Sequence, residues 1–363
     1  MFLFTNILNW FSTMNITIKP YSQDYDKQCA DLEQYLWKED EKGREIRFDW
    51  AYTHCPVHEK PLCVIAVNED EEVVGFRGYF LNKYKIGNEE FLVAQLSDTV
   101  VSDKARRQGI FQKMTNFSLD YLKDSGVSLI INLSPSWPPY YGYKKISFED
   151  LSQFHSKYKF GFGSILSEKS FRKKRSWKER KETVVSMKGI TYHIASSIDQ
   201  SVIAQVEQLV STSHIHSSLS IDILKWRTSR PGKDYLYAYT MDASDKLYSF
   251  MILSTVDYYN YNLGLFLSDH PETFKLLFRL FRKEYKPSTI AAWDFAMDDS
   301  SRKLLNKVGM VSIPFINKIR KNPPALVRTL QTNEDGSLNW NIGGVDIRKV
   351  ENWTINKFDL DSF

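Results

Sequence analysis

The sequence predicts a mixed α/β fold laid out as two similar domains in tandem. Three observations carry this. At 363 residues the chain is longer than one core ordinarily grows, so two domains are expected. A strand, an amphipathic helix and a continuous apolar strand follow one another between residues 91 and 133, the order of a right-handed crossover with parallel neighbours. A similar succession of elements returns in the second half of the chain.

Taken in order, residues 14–21 (MNITIKPY) alternate apolar and polar, as a strand does. Residues 24–40 read as a helix, with Cys29, Leu32, Tyr35 and Leu36 at helical spacing. Apolar runs at 61–67 and 73–80 flank the polar turn 68–72 and predict an antiparallel hairpin. A further strand over 91–101 ends in the polar stretch 102–109. A helix follows, because Phe111, Met114, Phe117 or Ser118, and Tyr121 or Leu122 recur every three to four residues. Gly126 stands where a left-handed cap stops it. The run 127–133 is continuous and β-prone, which suits a strand buried on both faces.

The second half repeats this plan. Residues 190–194 resemble the opening strand and 201–210 the first helix. Phe48-Asp49-Trp50 before Pro56 is echoed by Leu224-Lys225-Trp226 before Pro231. A hairpin recurs at 235–241 and 247–254, then a helix over 271–285 and a strand over 289–295. The expected organisation is an apolar leader at 1–13, a first domain over 14–154, a basic linker over 155–187, a second domain over 188–322 and a tail over 323–363.

Composition narrows the function classes. Hydrophobic residues make up 42% and charged residues 25%, ordinary globular usage that excludes disorder over most of the chain. A formal charge of +4 is small for this length and does not suit a nucleic-acid binder. The basic residues that do cluster, at 171–181, read as a solvated linker or as a contact for an anionic membrane surface or a phosphorylated substrate. Three cysteines, Cys29, Cys55 and Cys63, make no disulfide framework and fit a reducing, cytoplasmic setting. The leader is too short to span a bilayer and lacks a positive region before it, so the chain is expected to be soluble, with at most peripheral membrane contact. It is either a mis-called start or a small hydrophobic docking element.

The chemistry concentrates at the strand-to-helix junction. A helix start leaves backbone N–H groups without partners and carries partial positive charge, so it attracts phosphate. Gly109 lets a ligand approach the backbone, and Arg106 and Arg107 add forked cationic donors that suit phosphate oxygens. These residues describe a pyrophosphate cradle.

With its context the junction resembles the GNAT acyltransferase superfamily. The strand 92–101, the loop Arg106-Arg107-Gln108-Gly109-Ile110-Phe111, the crossover helix and the later Tyr143-Lys144-Lys145-Ile146-Ser147-Phe148 carry the resemblance. It implies that Arg106, Arg107, Gln108, Gly109, Ile110, Phe111 and Gln112 hold the phosphates of an acyl-CoA donor, expected to be acetyl-CoA. Thr99, Val100 and Val101 would lie beside its acyl arm. Phe111 stands where the family signature has Gly or Ala, so its ring must turn into the helix–sheet core or reshape the phosphate pocket. This Gly-Ile-Phe form is similar to a GNAT-like branch associated with bacterial surface-polysaccharide synthesis.

The resemblance places Tyr143 at the family's tyrosine and Ser147 at its glycine. Tyr143 would protonate the departing thiolate: an unperturbed tyrosine has a pKa of about 10 and a thiol about 8.5. Asp98 is the candidate base; at a reference pKa of about 3.9 it needs burial or a relaying water, or else it is a structural carboxylate. Asn132 and Ser134, at the end of the buried strand, are further ligand candidates. Phe48, Trp50, Tyr52, His54 and the run Trp137-Pro138-Pro139-Tyr140-Tyr141 are candidate acceptor contacts. His54, Cys55 and His58 lack a second ligand pair at supporting spacing, so no metal is expected.

The second domain has Leu305 where Tyr143 stands and no Arg-x-x-Gly loop between Ser254 and Pro271, which makes it a degenerate copy. The expected activity is acetyl transfer to a small amine such as a nucleotide-linked amino sugar of a surface polysaccharide. Two alternatives stay open: aminoacyl or longer-acyl transfer of the cell-wall type, and a CoA-binding scaffold without turnover.

Overall fold

The structure, a computed structural model, describes residues 15–161, 182–256, 259–315 and 322–363. The leader 1–13 and the basic stretch 171–181 lie outside the described residues. The chain divides into two compact units, Met1–Leu81 with Leu96–Val127, and Asn82–Gln95 with Ser128–Phe363.

The first unit opens on strand β1 (Thr17–Pro20) and two short helices, α1 (Asp26–Leu32) and α2 (Glu41–Phe48). The single helix expected over 24–40 instead ends by Tyr35, and Asp40 starts a new one. Its carboxylate accepts from Gly43 N at 2.8 Å and caps α2. Strands β2 (Val64–Val67), β3 (Val73–Ile86) and β4 (Glu89–Val101) follow, then helix α3 (Ile110–Asp124); strand β5 (Val127–Asn132) starts at the unit's last residue and runs on in the second unit. β1 pairs antiparallel with β2, and β2 with β3, which is the hairpin that the polar run 68–72 predicts. Ile110 and Met114 of α3 are buried with Val64, Ala66 and Val74 of this sheet. Each of the larger of these side chains contributes about 1.5–3 kcal/mol on burial. Gly75 permits the close approach, since a Cβ there would stand 3.1 Å from Ile110 Cγ2 and 3.2 Å from Met114 Cε.

The second unit takes the remaining parts of β3 and β4 and continues with helix α4 (Trp137–Lys144) and strands β6 (Glu149–Ser152), β7 (Ser156–Phe160), β8 (Thr183–Met187) and β9 (Ile190–Ala195). Helix α5 (Gln200–Val206), strand β10 (His216–Ser217) and helix α6 (Ile221–Thr228) precede the hairpin β11 (Tyr235–Asp242) and β12 (Leu247–Thr255). Strand β13 (Asn260–Ser268), helix α7 (Pro271–Tyr285), strand β14 (Thr289–Trp293), helix α8 (Asp299–Lys307) and strands β15 (Val311–Ser312) and β16 (Ala325–Thr329) complete it.

One of its sheets has the order β3-β4-β5-β16-β6, with β10 against β3; the other has β15-β7-β14-β13-β12-β11-β9-β8. β13 and β14 are parallel, with Tyr261 opposite Ile290, and α7 connects them. The apolar stripe of α7, Phe274, Leu277, Phe278, Phe281 and Tyr285, packs with Met251, Leu253 and Ile290. The opposite face of that sheet, Phe250, Ile252 and Leu265, is covered by Val202, Ile203 and Val206 of α5 and by Phe358 and Phe363 of the tail.

Two stretches depart from expectation. The stretch 155–187, expected as a linker, contains β7 and β8, and the tail 323–363 contains β16. β7 pairs antiparallel with β14, Ser156 opposite Trp293. β16 lies between β5 and β6, with Val327 opposite Ile131. The reason is backbone satisfaction. Ile131 and Ala292 are fully buried, so the strands that carry them need ladder partners on both sides. Among the described residues no helix is long and apolar enough to cross a membrane.

Candidate functional site

The junction after β4 is built from a change in backbone direction. Ser102 N donates to Val74 O at 2.8 Å, which holds the start of the loop against β3. A short turn over Asp103–Ala105 follows, anchored by the fully buried Ala105. Arg107 and Gly109 then both adopt left-handed backbone, with φ of +67° and +71°. Arg107 lacks glycine's freedom, and a non-glycine residue held there costs roughly 1–3 kcal/mol, a strain found where function requires it. A Cβ at Gly109 would meet nothing within 4 Å, so glycine answers the backbone conformation and leaves the approach open.

Helix α3 begins directly after Gly109, and no side chain caps its first turn. The corresponding helix of the second domain, α7, starts differently. His270 Nδ1 accepts from Thr273 N at 3.4 Å, and Pro271 brings no N–H. Of the two helix starts, that of α3 keeps its first-turn N–H groups free of a side-chain cap. Arg106 is exposed and pairs with Asp103 at 2.7 Å, a contact of little stabilising value that leaves the guanidinium at the surface of the loop. Gln112 is half-buried in the first turn and donates to Asn116 Oδ1 at 3.0 Å.

Phe111 is half-buried. Its ring centroid lies 5.5 Å from the guanidinium of Arg77, a fully buried cation. Arg77 also donates to Thr99 Oγ1 at 2.6 Å and to Tyr79 Oη at 3.2 Å. The bulky residue in the loop thus packs beside an interior arginine that also fixes the end of β4. Thr99 and Val101 are half-buried and Val100 is buried.

Asp98 points to the other side of β4, into a buried polar cluster. Its carboxylate accepts from Arg47 at 2.7 Å, Tyr52 Oη at 2.7 Å and Trp37 Nε1 at 2.9 Å. Glu33, with no exposed surface, also contacts Arg47. Burial acts to push the Asp98 carboxyl up, but the charge and hydrogen bonds of Arg47 and the bond from Tyr52 hold it below its ordinary value. Burial, first, and the charge of Asp98 push Glu33 well above its ordinary value. Tyr52 reaches Asp98 across Gly78, where a Cβ would stand 2.2 Å from its hydroxyl. The cluster is therefore a single buried cation, Arg47, shared by two carboxyl groups whose pKa values are pushed in opposite directions. A carboxylate held low by three donors is an anchor for β4 and a weak proton acceptor.

Glu33, Trp37 and Arg47 escape the sequence reading. The available signal is Glu33, four residues after the buried Cys29 and so on the apolar face of its helix.

Tyr143 and Asn132 belong to the second unit. Asn132 Oδ1 accepts from Ser134 N at 3.0 Å and closes a local turn. Tyr143 is 3% exposed, and its ring packs on Phe148 at 5.1 Å. Ser147 has φ of +64°, which explains why the resembled pattern carries glycine there. The counterpart segment repeats the geometry. Gly309 has φ of +69°, and Met310 N donates to Leu305 O at 3.0 Å just as Phe148 N donates to Tyr143 O at 3.2 Å.

Among the acceptor candidates, Phe48, Trp50 and Tyr52 are buried with Phe76 and Phe80 and serve the core. Trp137 and Tyr141 are exposed and, with Tyr140, form a ring cluster at centroid distances of 5.5–6.0 Å. His54 pairs with Asp49 at 3.0 Å, His58 contacts Lys60 O at 2.9 Å, and Cys55 is buried beside Leu81 O.

Residues 17–146 match a family model described as acetyltransferase (GNAT) domain. A comparison with curated protein sequences gave no match. Among solved structures, the chain is similar to a conserved protein of unknown function and probable N-acyltransferase from Enterococcus faecalis V583. That match has a TM-score of 0.62 at 13% identity and covers 87% of this chain and 73% of the other. A GCN5-related N-acetyltransferase from Anabaena variabilis aligns with a TM-score of 0.61 at 10% identity, over 87% and 73% of the two chains. A tandem GNAT protein from the clavulanic acid biosynthesis pathway aligns with a TM-score of 0.51 at 11% identity, over 88% of this chain and 100% of the other. Residues 17–146 thus match the acetyltransferase (GNAT) domain, and the chain shares the fold of the tandem GNAT protein.

Proposed function

We propose that the first domain transfers an acetyl group from acetyl-CoA to the amine of a small acceptor, and that the acceptor is a nucleotide-linked amino sugar. The observation that carries the donor assignment is the loop backbone. Left-handed Arg107 and Gly109 precede a helix start that no side chain caps. Arg106, Arg107 and the amides from Gln108 to Gln112 would hold the donor's phosphates, and Thr99 to Val101 would flank its acyl arm. Tyr143 would return a proton to the departing thiolate. The acceptor assignment rests on the ring cluster of Trp137, Tyr140 and Tyr141, because exposed aromatic faces suit the flat faces of sugars. In this reading Asp98 positions β4, and the second domain supports the first without a donor site of its own.

The test is to incubate purified protein with acetyl-CoA and a panel of nucleotide-linked amino sugars, and to follow free thiol with a thiol-reactive dye. Thiol release that depends on the amino sugar is the expected result. Release with simple amines but with none of the sugars would overturn the acceptor assignment. No release with any amine, while acetyl-CoA still raises the melting temperature, would overturn transfer itself.

A further inference from the structure

Helix α7 carries Lys275, Arg279 and Arg282 at spacings of four and three, so they share one face. With Lys159 of β7 and Lys307 at the end of α8 they line a cavity of about 390 Å3, whose remaining walls are Phe278, Val308 and Gly309. This volume is within the range of small-ligand sites, roughly 300–1,000 Å3.

Among the described residues the cations of this cavity are under-compensated. Glu272 pairs with Lys307 at 2.5 Å and also faces the charges of Lys275 and Arg279, so one carboxylate answers three of them. Lys159 Nζ donates to Gly309 O at 3.0 Å, and Arg282 donates to Phe160 O at 3.4 Å; these partners are carbonyls, not carboxylates. Burial and the neighbouring charge of Arg282 hold the Lys159 ammonium below its ordinary value. Gly309 keeps room for that ammonium, since a Cβ there would stand 2.8 Å from Lys159 Nζ. Like charges gathered around a concavity focus a positive potential, and two arginine forks match phosphate oxygens. The buried Phe278 and Val308 add an apolar floor.

We infer that this cavity binds a phosphate-bearing anion, held by Lys159, Lys275, Arg279, Arg282 and Lys307. The chemistry is shared by a soluble phosphate compound and a phospholipid headgroup, and the experiment separates them. One arm titrates the full chain with inorganic pyrophosphate by calorimetry. The other measures co-sedimentation with vesicles of equal parts phosphatidylglycerol and phosphatidylcholine. Both use wild type, a Lys275→Glu, Arg279→Glu variant, and a loop control, Arg106→Ala with Arg107→Ala.

The expected result is binding that the cavity variant weakens at least about tenfold and the loop control leaves in place, with added salt weakening it further. Loss in the pyrophosphate arm identifies a soluble ligand, and loss with vesicles alone identifies a headgroup. Binding unchanged by the cavity variant, lost only in the loop control, or absent from both arms would overturn the inference. Arg279 is exposed and Lys275 half-buried, so the fold should tolerate reversal. Lys275→Gln with Arg279→Gln repeats the measurement without a reversed charge should the first variant unfold.

Discussion

Replacing Arg47 with methionine is expected to destabilise the protein by about 3–5 kcal/mol, read as a fall in the urea midpoint. The side chain is 6% exposed and is the cation facing both Asp98 and Glu33. Methionine fills much of the volume, so the loss reports charge rather than cavity. Without Arg47 the buried Asp98 must stay ionised on the bonds of Tyr52 and Trp37 alone, or take up a proton. Glu33→Gln is the informative companion, because glutamine mimics the protonated acid. A carboxyl whose folded pKa is raised above about 4.5 contributes stability that is full below that pH and is lost as pH rises through the folded pKa. Glu33→Gln removes this loss, so its stability relative to wild type should increase with pH above about 4.5. Asp98 works oppositely: held below its ordinary value, it adds stability that fades as pH falls. A glutamine variant whose difference from wild type does not vary with pH would place an ionised Glu33 in the folded protein.

The second large effect is on rate. Tyr143→Phe is expected to lower kcat by roughly 10²- to 10⁴-fold, the ordinary range for a lost general acid, while leaving acetyl-CoA affinity in place. The substitution is selective because the ring packs against Phe148 and phenylalanine keeps that packing. A tyrosine that serves only the core would show the reverse pattern, a small change in melting temperature and an unchanged kcat.

Much of the plan was legible because it is local. Helix α7 spans Pro271–Tyr285, matching the expected 271–285, since proline marks its start and its apolar stripe is unbroken. The crossover from β4 through α3 to β5 follows its reading within a residue or two, because Gly109 and Gly126 bracket the helix with left-handed backbone. Strand β13 was legible and missed: Tyr261, Leu263, Leu265 and Leu267 alternate as a strand requires.

What could not be read is non-local. That β7 completes the sheet edge beside β14, and that β16 enters between β5 and β6, depends on which ladder lacks a partner in the folded chain. The side chains of Glu33, Arg47 and Asp98 meet only once α1, α2 and β4 are packed, so sequence reasoning offered Asp98 as a base without seeing the donors that occupy it. The aromatics show the same limit. Phe48, Trp50 and Tyr52 are interior, whereas Trp137 and Tyr141 face solvent, and composition does not separate the two groups.

The central claim is that one donor site is built on the loop at 102–112 and none on its counterpart before α7. Calorimetric titration of the whole chain with acetyl-CoA tests it most directly, in wild type and in Gly109→Val, which places a branched side chain on left-handed backbone at the helix start. The account predicts one site per chain in wild type, and affinity lost in the variant while the protein stays folded. No binding, a second site that persists in the Lys275→Glu, Arg279→Glu variant, or equal affinity in the Gly109→Val variant would contradict it.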